Sequence, residues 1–120
     1  MGNKKFLIFT LFIISNSTWA MIPEKVTCSD EHQVWKVKFD LDGQVATHLS
    51  FMKKGKLKKA IPMVKADINQ KKNNTCYDFS FGQNKFLNFD RTNGAKKFSA
   101  IFILSEEITS NDKIVTCSVE

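Results

Sequence analysis

From Thr75 to Leu104 the chain alternates apolar and polar positions in two aromatic-rich runs, TCYDFSF and KFLNFDR, followed by a Thr92-Asn93-Gly94 turn and a third run, KKFSAIFIL. Alternation with a period of two places every second side chain on one face of a strand, so this stretch predicts a β-meander. Its first half is echoed upstream. There Thr27-Cys28 precedes VWKVKFD, an Asp42-Gly43 turn and QVATHLSF. A third Val-Thr-Cys-Ser, Val115 to Ser118, closes the chain. The pattern therefore reads as two related hairpin units and one returning strand.

Residue by residue, Gln33 to Asp40 puts Trp35, Val37 and Phe39 on one face and Lys36 and Lys38 on the other. Asp42-Gly43 supplies the positive φ of a hairpin turn, and Gln44 to Met52 returns with Val45, Thr47, Leu49 and Phe51 inward and His48 outward. Leu57, Ile61, Val64 and Ile68 fall at helical spacing. Pro62 inside such a helix costs about 3 kcal/mol, which favours a strand from Met63 to Ile68 with Val64, Ala66 and Ile68 inward, then a polar loop from Asn69 to Asn74. In the second unit Thr75, Tyr77, Phe79 and Phe81 share a face, Gly82-Gln83-Asn84 turns the chain, and Leu87 and Phe89 point to the core. Phe86 has the opposite parity, which marks a bulge or an exposed aromatic.

In the third run Phe98, Ala100, Phe102 and Leu104 are inward, yet Ile101 and Ile103 make the other face apolar too. Such a strand needs cover on both sides, from the segment Ser105 to Asp112 or from a partner. Ser105 is also placed to cap one helical turn. Val26 to Ser29 and Lys113 to Val119 are alike and are expected to lie at neighbouring edges of one sheet, closing it. The expectation is a single all-β domain of about eight antiparallel strands, either an up-and-down barrel or a two-sheet sandwich.

The amino terminus changes which residues enter that fold. Lys4 and Lys5 precede the apolar run FLIFTLFII, and a polar segment then ends in Ala20. This is the layout of a secretory signal peptide, residues 1–20, cut after Ala20 or, as a second choice, Ser17. This nine-residue run, apolar but for Thr10, is too short for a membrane span, which needs about 20. Removing Lys4 and Lys5 lowers the formal charge from +6 to +4, so the exported body, residues 21–120, is mildly basic.

Export to an oxidising compartment bears on the three cysteines, which allow one disulfide in three pairings. Strand parity separates them. Cys28 shares a face with Val26, and Cys117 with Val115 and Val119. Cys76 alternates with Asp78 and Ser80, away from the aromatic face. Cys28 with Cys117 is the preferred pair and Cys76 the free thiol; a bulge before Tyr77 would favour Cys76 with Cys117 instead.

Catalytic chemistry finds little support. Asp30-Glu31-His32 is a solvated turn without further metal ligands, and Asp40 to Gly43 lacks the acids of a calcium loop. No nucleophile elbow, paired-carboxylate motif or phosphate loop is present, so neither an enzyme nor a cofactor or metal is expected. Lys53 to Lys59, KKGKLKK, stands out instead. Lys53, Lys54, Lys56, Lys58 and Lys59 crowd one hairpin tip and predict a flexible cationic surface for an anionic partner: an envelope polymer, a membrane surface or an acidic protein. The absence of aromatics within that run argues against specific nucleic-acid binding. The expected function is a non-catalytic binding or inhibitory module. The alternative is a carrier of a small apolar ligand inside a barrel, which eight Phe, Trp35 and Tyr77 in the exported body would tend to fill.

Overall fold

The computed structural model of the chain describes residues 22–104 and 113–120. The expected signal peptide, the helical turn at Ser105 and the covering segment from Ser105 to Asp112 lie outside the described residues. Nine antiparallel strands form one sheet: β1 (Glu24–Ser29), β2 (Trp35–Asp42), β3 (Val45–Lys53), β4 (Lys56–Lys65), β5 (Asp67–Lys71), β6 (Asn74–Gly82), β7 (Lys85–Thr92), β8 (Lys97–Ile103) and β9 (Lys113–Val119). Their order across the sheet is β4-β3-β2-β1-β9-β8-β7-β6-β5, and the sheet curls into a half-barrel.

The two hairpin units are two half-sheets, and β1 pairs with β9 to join them through Val26↔Val119, Thr27↔Ser118, Cys28↔Cys117 and Ser29↔Thr116. Cys28 and Cys117 are thus directly opposed, and their disulfide crosses the junction with Cα atoms 3.9 Å apart. Parity had singled out this pair because both thiols face the core, where each is fully buried.

The edges fall elsewhere than expected. The chain ends meet in the middle of the sheet, and the unpaired edges are β4 and β5. Only Ala66 separates these two strands, too little chain for a hairpin. They therefore run on in the same direction as one long bent strand, leaving the first half-sheet and joining the second. Ala66 is buried at the crossing, and its N–H donates to the Gln44 carbonyl at 2.7 Å. Residues 69–71, expected as loop, belong to β5, which raises the strand count to nine. Ile68 is 45% exposed where it was expected inward, because β5 is an edge strand with every residue exposed. Pro62 lies within β4, an edge strand whose outer side requires no amide donor.

A second difference sits in β3. Val45 and Thr47 were expected inward, but Ala46 is fully buried and both its neighbours are only half-buried. His48 adopts φ 52°, and the β2–β3 register shifts between Lys38 and Asp40. This bulge reverses the parity of the strand at His48, so Leu49 and Phe51 stay inward as expected.

The concave face is packed with rings in two groups. Phe51 lies 5.1 Å from Phe102 and 5.5 Å from Phe81, with Trp35 5.2 Å from Phe102 at one end of the half-barrel. Toward the other end Phe89 lies 4.6 Å from Tyr77, 4.7 Å from Phe98 and 6.1 Å from Phe39. Phe51, Phe79 and Phe102 are almost wholly removed from water. Burying each contributes about 1.5–3 kcal/mol. Phe86, the residue of odd parity, opposes Ser80 and Ile103 on the convex face.

Candidate anion-binding cleft

The lysine tip begins with a turn. Lys53 pairs with Lys56, leaving Lys54 and Gly55 as the two turn residues, at φ 50° and 79°. Positive φ at both positions is what a tight hairpin with the native strand twist requires, and Gly55 meets that demand without strain. The Lys54 N–H donates to the Val34 carbonyl at 2.8 Å, tying the turn to the β1–β2 connection. The tip is therefore a two-residue turn with lysines on the strands at either side.

A bulge then sorts the lysines. Met52 pairs with Leu57 but Phe51 pairs with Lys59, so Lys58 is the extra residue in β4. Leu57 consequently points outward, 60% exposed, whereas Lys58 and Lys59 both line a cleft at the end of the half-barrel. Bulges re-aim side chains at barrel rims in this way. Lys53 and Lys113 complete the cationic rim, and Trp35, Phe102 and Leu104 form the floor of a space of about 410 Å³. Lys113 arrives by register: as the first residue of β9 it opposes Phe102 at the end of β8. The Lys53 ammonium sits 5.6 Å from the centre of the Trp35 ring, a cation–π contact that holds it over the floor. Lys54 and Lys56 are exposed and lie outside the lining. Among the described residues no carboxylate lines this cleft and none of these six lysines forms a salt bridge.

The opposite end of the half-barrel is closed by charge. Arg91, the chain's single arginine, is 5% exposed. Its Nη1 and Nη2 donate to Glu24 Oε1 and Oε2 at 2.8 and 3.0 Å, its Nε donates to the Ala95 carbonyl at 2.9 Å, and it lies over the Phe98 ring at 5.4 Å. The hydrogen bond from Arg91 holds the Glu24 carboxyl below its ordinary pKa, and the same bond raises that of Arg91. Burial pushes the Tyr77 hydroxyl up. A lone arginine among lysines, on the core parity of Leu87 and Phe89, was the sequence signal for this lock.

The remaining candidates have local roles. Asp30 Oδ1 accepts from the Trp35 N–H at 3.0 Å, which orders the connection before β2. On the convex face Asp40 lies 3.7 Å from the Lys25 ammonium and 3.3 Å from His48 Nδ1. Cys76 is half-buried and unbonded, opposite Asn69 and Asp90, far along the sheet from the disulfide. No group of three or more His, Cys, Asp or Glu side chains suited to a metal ion occurs among the described residues. The cleft thus offers positive charge over an apolar, aromatic floor. Comparison with protein families, curated proteins and solved structures finds no match to this chain.

Proposed function

We propose that the protein is an exported, non-catalytic binding module that docks on an anionic envelope surface through the lysine-bearing end of its half-barrel. The observation that carries this reading is the single-sign end: Lys53, Lys54, Lys56, Lys58 and Lys59 on one hairpin, joined by Lys113 from β9, without a salt bridge among the described residues. Clustered cations over a low-dielectric floor focus a positive potential and raise the local concentration of anions. Export is supported by the signal-like amino terminus, and the Cys28–Cys117 disulfide is compatible with an oxidising compartment. The packed interior favours a surface over a ligand carried inside.

The test compares two variants of equal charge. One replaces Lys53, Lys54, Lys56, Lys58 and Lys59 by Gln; the other replaces five lysines elsewhere, Lys36, Lys38, Lys65, Lys71 and Lys97. Sedimentation with phosphatidylglycerol vesicles and with envelope fragments should be lost in the first and kept in the second. Equal loss in both would mean that net charge, and not this end of the fold, drives the association.

A further inference from the structure

The tip lysines do not form one undifferentiated patch. Lys53, Lys58, Lys59 and Lys113 line a cleft floored by Trp35, Phe102 and Leu104, with Lys53 and Lys59 half-buried and Lys58 and Lys113 exposed at its rim, whereas the exposed Lys54 and Lys56 lie outside that lining. A diffuse attraction to a polyanion needs no such division, and it makes no use of an apolar floor. From this placement we infer that the cleft is a binding site for a single anionic amphiphile, a long-chain carboxylate whose head meets the lysine rim and whose first methylenes lie on Trp35 and Leu104. The inference deepens the docking reading and rests on it for the sign of the partner.

Three observations converge on that chemistry. The first is size: about 410 Å³ holds on the order of a dozen waters, room for a head group and a short length of chain rather than a whole lipid. The second is the floor. Phe102 is 1% exposed and fixed edge-on to Trp35 at 5.2 Å, so the indole is held in place and its half-buried remainder, with half-buried Leu104, is the surface left for an apolar group. The third is the rim, where the extra residue at Lys58 brings two consecutive lysines to the same side of β4. A regular strand would send one of them to the convex face. Without the bulge the cleft would lose half of its β4 charge.

Charge and floor act together in this arrangement. An acidic head alone gains only screened attraction from exposed ammonium groups, and a chain alone has too small an apolar floor to be held. Linking the two makes the second contact intramolecular once the first has formed. Binding should therefore depend on both ends of the ligand.

Trp35 is a direct reporter. In the exported chain, residues 21–120, it is the only tryptophan, so its emission reads the cleft. Monomeric dodecanoate should produce a saturable blue shift, whereas acetate, and an uncharged dodecyl glycoside at the same concentration, should leave the emission unchanged. Replacing Lys58, Lys59 and Lys113 together by Gln should weaken dodecanoate binding at least about tenfold, the sum expected for three exposed ion pairs. Replacing Lys54 and Lys56 should not. Circular dichroism of each variant checks that the sheet is intact. Equal shifts with the glycoside, no shift with dodecanoate, or equal weakening from Lys54 and Lys56 would overturn the site. If vesicle docking persists while dodecanoate fails, the cleft assignment falls and the docking surface stands. If neither binds, both fall.

Discussion

Reducing the Cys28–Cys117 disulfide is expected to remove a large part of the protein's stability, and the amount can be worked from the topology. The bond spans 89 positions and crosses the β1–β9 junction that joins the two half-sheets. In the chain-entropy account, freeing a loop of that length costs about 4.6 kcal/mol at 25 °C. The two thiols left behind are fully buried and act as small apolar side chains, so the native state itself should lose little. A domain of this size has a total stability of about 5–15 kcal/mol. The assay is urea unfolding of a Cys76→Ser chain, oxidised and reduced, followed by tryptophan emission; the substitution prevents exchange with the third thiol. With a slope of about 1.5 kcal/mol per molar urea, the midpoint should fall by roughly 3 M. The slope should rise as well, because the reduced unfolded chain exposes more surface. A loss under about 1 kcal/mol would refute the reasoning, since it would mean that the unfolded chain keeps β1 and β9 together without the bond.

Other expectations concern packing, charge and chemistry. Phe102→Ala should cost about 3–5 kcal/mol by chemical denaturation, because the ring is 1% exposed and in contact with Phe51 and Trp35; a loss under 1 kcal/mol would mean that the site is roomy. Glu24→Gln should cost about 1–2 kcal/mol at neutral pH, reduced from the usual value of a charged hydrogen bond because Glu24 is 40% exposed. Glu24 has a lowered pKa in the fold, so its contribution is complete above the unfolded value of 4.5 and is lost as pH falls through the folded value; wild type should lose stability in that acid range and the Gln variant should lack that part of the slope. Intact mass of the native exported chain should begin near Met21, be lighter by two hydrogens than the reduced form and accept one alkyl group, at Cys76. Three alkylated thiols would contradict it.

Much of this fold is written in strand parity. The aromatic alternation of Tyr77, Phe79, Leu87, Phe89, Phe98 and Phe102 identified the core face, and the same rule paired Cys28 with Cys117 because both sit on that face. Parity fails wherever the backbone leaves the regular strand. His48 reverses it in β3, Lys58 repeats a position in β4, and Ala66 marks the bend between β4 and β5. None of the three is a turn-forming dipeptide, so local propensity had nothing to flag. The site was half visible for the same reason. A run of five lysines is plain in the sequence, but which of them share a cleft depends on the bulge, and Lys113 joins them through a register set far away in β8 and β9. Arg91 was overlooked because its partner Glu24 lies 67 positions away, although its parity and its uniqueness both pointed inward.

The most direct test of the account is the salt dependence of wild-type binding to vesicles. At about 0.01 M salt exposed charges act over roughly 30 Å, and at about 0.15 M over roughly 8 Å. Sedimentation of the exported chain, residues 21–120, with phosphatidylglycerol vesicles should be strong at the lower salt, weaken steeply toward the higher, and be absent with phosphatidylcholine at both. No binding to the anionic vesicles at low salt, or equal binding to the two lipids, would contradict the assignment of the lysine end as an anion-docking surface.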